Sequence, residues 1–456
     1  GFAASVLDTL SDGFRLTDDV RLYVRALGGG GEARARTEME LTRSLGLRRF
    51  RFQLDSEVGR FDAEGAPEGD SVLAVRWRAG GDAQVLRVPL DGPVVLPALL
   101  PLRLVLGGEP AVGKTYGFEL FDPSVMGRRR VELRVRGREP RVVPDSAVFD
   151  GRRGEWVPAR FDTVWAWHVE QRWGGIVLES WLDPDGLVVE ARSPLGYTME
   201  RTAFEIAWNN LRARAAAGDL FAGAPDVIER TAVASNADWS NAERIRRLGV
   251  RITGVDLEGF DLSGGRQLLA GDTLWVERED PATLEPGYTR PADPARFRET
   301  LAPEPLVQVD DPVVRETAHR IAGDVRDPVE VARRLTRWVY GALEKEITLS
   351  VPSARQVLET RRGDCNEHTV LYVALARALG LPARTATGLV YLDGRFYYHA
   401  WPEVWLGRWV AVDPTFGQFP ADAAHLRFVV GGLAEQVELV RLIGRVRLEV
   451  VHAVEG

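Results

Sequence analysis

The chain has 456 residues, 45% of them hydrophobic and 27% charged, with a formal net charge of −8. That composition excludes a mostly disordered chain, and the length exceeds one ordinary core, so about two to four domains are expected. The acidic balance argues against a general nucleic-acid binder, and no window holds the roughly 20 uninterrupted apolar residues of a membrane-spanning helix.

Residues 1–218 read as a β-rich domain. Short apolar runs alternate with polar residues at Ser71–Trp77, Gln84–Leu90, Val131–Val135, Val164–Gln171, Ile176–Leu182 and Leu187–Ala191. Gly174-Gly175 and Asp185-Gly186 are hairpin turns between such runs, which implies an antiparallel sheet folded as a sandwich, a barrel or a curved sheet. Asp62–Asp70 is expected to be a surface loop, and a helix is expected from Arg201 to about Ala217, ending near Gly218. The chain starts Gly1-Phe2 rather than with Met, which reads as a processed or an engineered end, and its first 30 residues lack a basic stretch followed by an apolar one.

Residues 219–300 read as a small β subdomain and linker, with strands at Val227–Val233 and Leu274–Arg278 and a short helix at Asn241–Leu248. Pro281, Pro286, Pro291 and Pro294 mark an extended connection. From 301 to 430 the signals sharpen. Asp311-Pro312 and Asp327-Pro328 each put a capping carboxylate before a proline at the first helical position. Val331, Leu335, Trp338, Val339 and Ala342 then follow helical spacing, Ser353 with Gln356 forms a capping-box pattern for a third helix, and Gly363 is expected to end it. Cys365 opens a fourth helix, with Leu371, Ala374, Leu375, Ala378 and Leu379 as its apolar face and Gly380 and Pro382 as its stop. Strands Arg384–Leu392, Arg395–Trp405 and Arg408–Val412 follow, turning at Asp393-Gly394 and Leu406-Gly407. Residues 431–456 read as a C-terminal strand extension.

Cys365 is the chain's one cysteine, so neither an intrachain disulfide nor a multi-cysteine zinc site is available. It is either a small buried hydrophobe or a nucleophile. A helix N-terminus favours an anion, so the thiol is expected to have a depressed pKa. A two- or three-residue loop around Leu406-Gly407 would set His399 opposite Asp413 or one residue away, with a bulge at Pro402 making up the difference. A carboxylate there would fix the imidazole tautomer and leave the other ring nitrogen for the thiol.

Arg362-Gly-Asp-Cys365-Asn-Glu-His-Thr369, Tyr397-Tyr-His399-Ala-Trp-Pro-Glu-Val404 and Val412-Asp413-Pro-Thr415 together resemble the bacterial transglutaminase-like superfamily, over about residues 310–430. The patterns read as a multidomain protein whose mainly antiparallel β N-terminal region precedes an α+β unit, and the resemblance implies that this unit is a papain-like core with Cys365, His399 and Asp413 as a catalytic triad. It implies cysteine-dependent acyl transfer on peptide or protein amides through a thioester, with hydrolysis ahead of amine transfer. The alternative is a non-catalytic envelope binding or assembly protein that keeps the fold. No cofactor and no metal are expected. The expected partner is a peptide or protein substrate, and a periplasmic or other extracytoplasmic location is placed ahead of the cytoplasm.

Other motifs have simpler readings. Cys365 with His368 and His399 falls short of a zinc ligand set, and Glu367 is a favourable first-turn acid. Gln356 belongs to the capping pattern and Trp338 to the helical core, while one of Trp401, Trp405 and Trp409 is expected to wall the site. Gly108–Thr115 matches the phosphate-loop pattern but leads into an apparent strand at Thr115–Phe121 instead of a helix. Asp183–Gly186 lacks the glutamate that closes a calcium loop and is read as a turn.

Overall fold

The computed structural model describes residues 1–26, 29–108, 110–173, 176–193, 196–221 and 226–456. The chain forms two compact units, one of residues 1–78 and 82–226 and one of residues 79–81 and 227–456. Among the described residues no helix is long and apolar enough to cross a membrane.

The first unit holds two sheets whose strands neighbour one another in chain order. Seven strands run from Phe2–Thr9 to Gln84–Pro89, and six from Thr115–Asp122 to Thr198–Glu200. Two-residue alternation builds the buried side: Leu73, Val75 and Trp77 point inward from one strand, and Phe61 of another stacks on Trp77 at 6.1 Å. The segment 62–70 is no loop. Gly59–Glu68 is a strand paired with Leu47–Ser56, because Phe61 and Ala63 alternate inward and its polar residues fall on the other face. The Asp185-Gly186 turn joins Ile176–Leu182 to Val188–Arg192, with Asp183 Oδ1 accepting from the N–H of Asp185 and of Leu187. The Gly174-Gly175 turn lies outside the described residues. Thr115–Asp122 is a strand, so the phosphate-loop pattern opens no helix.

Two expectations for the opening of the second unit fail. Val227–Thr231 is a short helix, held in part by Thr231 Oγ1 donating to Val227 O at 2.8 Å. Asn241–Leu248 contains one tight turn, Ala242–Arg244, and then the strand Ile245–Thr253. A register irregularity between Ile245 and Arg247 spaces the buried Ile245 and Leu248 three apart, which imitates helical periodicity. Arg447–Glu455 pairs with this strand in a four-stranded sheet.

Four helices follow: α1 (Pro312–Ala322), α2 (Pro328–Ala342), α3 (Ala354–Thr360) and α4 (Cys365–Ala378). Asp311 and Asp327 cap the first two by accepting two backbone N–H groups each, and Ser353 caps the third. Arg361, in the left-handed region at φ 58°, ends α3 two residues earlier than Gly363 was expected to. Helix α4 lacks the single apolar face its sequence pattern predicts. Residues 367–377 are buried all round, as in a central core helix. Strands β1 (Ala383–Leu392), β2 (Arg395–Trp405), β3 (Trp409–Ala411) and β4 (His425–Val430) complete the site's framework. β1 lies between β2 and β4, with β3 pairing β2. One core joins the helices to Val404, Val410 and Val412, and a second joins the four-stranded sheet to Leu389, Phe396, Leu426 and Phe428.

Candidate active site

Cys365 is the first residue of α4 and is half-buried. Asp364 caps the helix through Oδ1 to the N–H of Asn366 at 2.8 Å, and Glu367 Oε2 accepts from the N–H of Asp364 at 2.9 Å, closing a capping box. Glu367 is itself buried, and its Oε1 accepts from Thr348 and Ser350 at 2.9 and 2.6 Å. A Cβ on Gly363 would lie 2.3 Å from the Cβ of Glu367, so this closure requires glycine there.

The backbone N–H of Ala400 on β2 acts on the thiol in favour of its anion. Its pKa is pushed well up, by burial first and then by Asp364, and the Ala400 N–H opposes them only in part. This overturns the expected depression. The partial charge of a helix terminus is outweighed where the sulfur is desolvated and a carboxyl directly precedes it.

His399 lies on β2 beside Ala400, opposite Gly388 of β1. Its Nε2 is 2.7 Å from Asp413 Oδ2. The carboxylate only accepts, so Nε2 carries the hydrogen and Nδ1 is the base of the neutral ring. The structure thus brings His399 and Asp413 together, but not by the predicted register. Trp405 pairs with Trp409 and Glu403 with Ala411, and the ladder ends at Ala411. The connection has three residues, the longer of the two expected lengths, and Asp413 falls beyond the ladder. Asp413 has already left the strand and exchanges backbone bonds with Gln418 at 2.9 and 2.8 Å. Its side chain reaches His399 as a diagonal neighbour, and β1 pairs through Pro402 without a bulge.

Asp413 is fully buried, and its Oδ1 accepts from the N–H of Thr415 and of Phe416 at 2.7 and 3.0 Å. Burial pushes its carboxyl up, but the His399 ring and then His425 hold it well below the usual carboxylate range. His425, on β4, is the residue sequence reasoning missed. Its Nε2 bonds the same Asp413 oxygen at 3.0 Å, and its Nδ1 bonds Asp422 Oδ1 at 2.9 Å. Its one local sign is an acid three residues earlier, and its other partners come from distant parts of the chain. Gly388 lets β4 approach, since a Cβ there would lie 1.9 Å from Leu426 O.

Trp401 is buried, stacks on His399 at 6.1 Å and meets His425 edge-on at 5.2 Å. Phe416 covers His399 at 5.0 Å. Among the described residues, the grouping of three metal-ligating side chains is His399, Asp413 and His425, with ligand atoms within 4.8 Å. It includes neither Cys365 nor His368, whose Nδ1 contacts Asp364 O at 2.7 Å.

Residues 315–414 match the family model of the transglutaminase-like superfamily, so the chain carries a transglutaminase-like core over the stretch that contains Cys365, His399 and Asp413. Among solved structures, the chain is similar to a candidate cysteine protease from Cytophaga hutchinsonii at 18% identity, over 45% of this chain and 83% of that one, with a TM-score of 0.31. It is also similar to the periplasmic domain of TgpA from Pseudomonas aeruginosa at 16% identity, over 41% and 90% of the two chains, with a TM-score of 0.27. A β-barrel-like protein from Brucella abortus matches at 15% identity, over 42% and 81%, with a TM-score of 0.28. No curated protein matches the chain.

Proposed function

We propose that the protein is a cysteine-dependent acyl-transfer enzyme acting on peptide or protein amides, with Cys365, His399 and Asp413 as its triad. One observation carries the reading. His399 holds its Nε2 on the buried Asp413 carboxylate, while the backbone N–H of the next residue, Ala400, acts on the Cys365 thiol at the start of α4. The chemistry belongs to residues 301–430, a papain-like arrangement of a cysteine-bearing helix against a histidine-bearing sheet. Residues 1–218 then serve as a substrate-binding or scaffold domain, 219–300 as a subdomain and linker, and 431–456 as a strand extension.

The thiol's hold on its proton is raised, by burial and by Asp364, so the proton moves during attack. Nδ1 of His399 takes it from Sγ as sulfur bonds the amide carbonyl carbon, and the backbone N–H of Cys365 is a natural donor to the oxyanion. Asp413 supports the imidazolium. His399 then returns the proton to the leaving nitrogen as the C–N bond breaks, leaving a thioester on Cys365. Water, activated by His399, releases the acid, and an amine in its place yields a new amide.

The test is iodoacetamide alkylation at pH 8, read by intact mass. Cys365 should alkylate, and His399→Ala should slow it about a hundredfold or more, the scale of a positioned base. An equal rate in the variant contradicts the reading. The raised thiol favours one second reading, a binding or assembly protein that keeps the fold, for which Cys365→Ala would retain biological function.

A further inference from the structure

Asp413 Oδ2 meets two imidazoles at once. His399 Nε2 lies 2.7 Å from it and His425 Nε2 3.0 Å, and one ligand atom from each of the three residues lies within 4.8 Å of the others. They converge from three parts of the fold: β2, β4 on the far side of β1, and the segment after β3. Two of the three are braced from behind. His425 Nδ1 bonds Asp422 Oδ1 at 2.9 Å, and Asp422 in turn accepts from Gln418 Nε2 at 3.0 Å and from the N–H of Ala424 at 2.9 Å. Asp413 Oδ1 accepts from the N–H of Thr415 and of Phe416. Trp401 and Phe416 wall the group with rings, and Asp413, His425 and Asp422 are buried.

The acyl-transfer chemistry uses His399 and Asp413 and leaves His425 and Asp422 without a task. A histidine whose far nitrogen rests on an anchored carboxylate is the outer arrangement of a metal ligand. We propose that His399, Asp413 and His425 form a site for a divalent transition cation, zinc by its donor set, and that zinc there switches the triad off. Two imidazole nitrogens and one carboxylate oxygen suit zinc, whereas magnesium and calcium take six or more oxygens. Three protein ligands leave a fourth position for water. Zinc bonds such ligands at about 2.0–2.2 Å, so the atoms that face each other at 2.7 and 3.0 Å need to part by about half an ångström.

The inhibition follows from the lone pair that zinc takes. A neutral imidazole bound through Nε2 keeps its one hydrogen on Nδ1. At His425 that hydrogen points to Asp422, where the contact already stands. At His399 it occupies the nitrogen that accepts the Cys365 proton in the acyl-transfer reading, and the metal draws Asp413 away from the ring. The base is then blocked. This inhibition rests on the triad reading, whereas the binding of zinc does not.

The test uses the whole chain, stripped with a chelator and then dialysed against micromolar zinc chloride, with bound metal read by elemental analysis. The native protein and Cys365→Ser should each retain one zinc. His425→Gln should lose it. Asp422→Asn, which spares every ligand, should weaken it by about 10–100-fold, the usual effect of an outer partner, with the fold of each variant checked by thermal melting. Iodoacetamide alkylation of native Cys365 should slow in zinc toward the rate of His399→Ala and recover when a chelator is added. A native chain that retains no zinc overturns the site, and so does zinc held equally well by His425→Gln and Asp422→Asn. Zinc lost in Cys365→Ser overturns it too, because the thiol is then a ligand. Zinc held through His425 with alkylation unslowed overturns the inhibition. His399-dependent alkylation in a chain that holds no zinc sinks this proposal alone. Zinc held through His425, with alkylation indifferent to His399→Ala, sinks the triad reading and leaves the site.

Discussion

Asp413 accepts from His399 and His425 on one carboxylate oxygen and from two backbone N–H groups on the other. Replacing it with alanine would strand a buried imidazolium, and Asp413→Ala should cost roughly 3–5 kcal/mol in urea unfolding, the cost of breaking a buried ion pair. The pH dependence has a definite sign. His425 has a folded pKa raised from 6.5 to about 9, so its contribution is full below pH 6.5 and lost as pH rises through 9. Its size is about 3 kcal/mol, and it should appear as a steeper loss of stability above neutral pH in the native protein than in His425→Gln. Asp413 and Asp422 have lowered pKa values, so their contribution stands above the ordinary carboxylate range and fails as acid is added. At this scale the meeting of His399 with Asp413 was legible because each lies in a local motif. His425 was not, because its meaning depends on strand β4 crossing back beside β1.

The capped helices were legible for a physical reason: a side-chain oxygen, a proline and an apolar period all act within a few residues. Asp311, Asp327 and Ser353 each cap where expected. Register and bulges were less legible, because one residue more in the Leu406–Arg408 connection, or an irregularity at Ile245, redirects side chains without changing local composition. The start of α4 ties sequence to site most closely. Gly363→Ala would drive a Cβ into Glu367 and displace Asp364 and Cys365 together, so alkylation should become erratic in rate and stability should fall by about 1–3 kcal/mol, the usual cost of overpacking. Asp364→Ala should cost about 1 kcal/mol through loss of the cap, measured by thermal melting.

On the scale of the whole chain, two compact units predict that unfolding is not a single two-state event. Calorimetry should resolve two transitions. Leu375→Ala, in the fully buried middle of α4, should remove about 2–5 kcal/mol from one of them and leave the other in place. The β-rich character of the first unit was legible from alternation and turn residues, but its division into two sheets was not, since that depends on which strands pair. The covalent step at Cys365 can be followed by intact-mass analysis after exposure to a nitrophenyl ester of a short acyl-peptide. One acyl group should form on Cys365 and then turn over, and it should fail to form at a comparable rate in His399→Ala. An adduct that never appears, or that appears equally fast without His399, would contradict the triad reading.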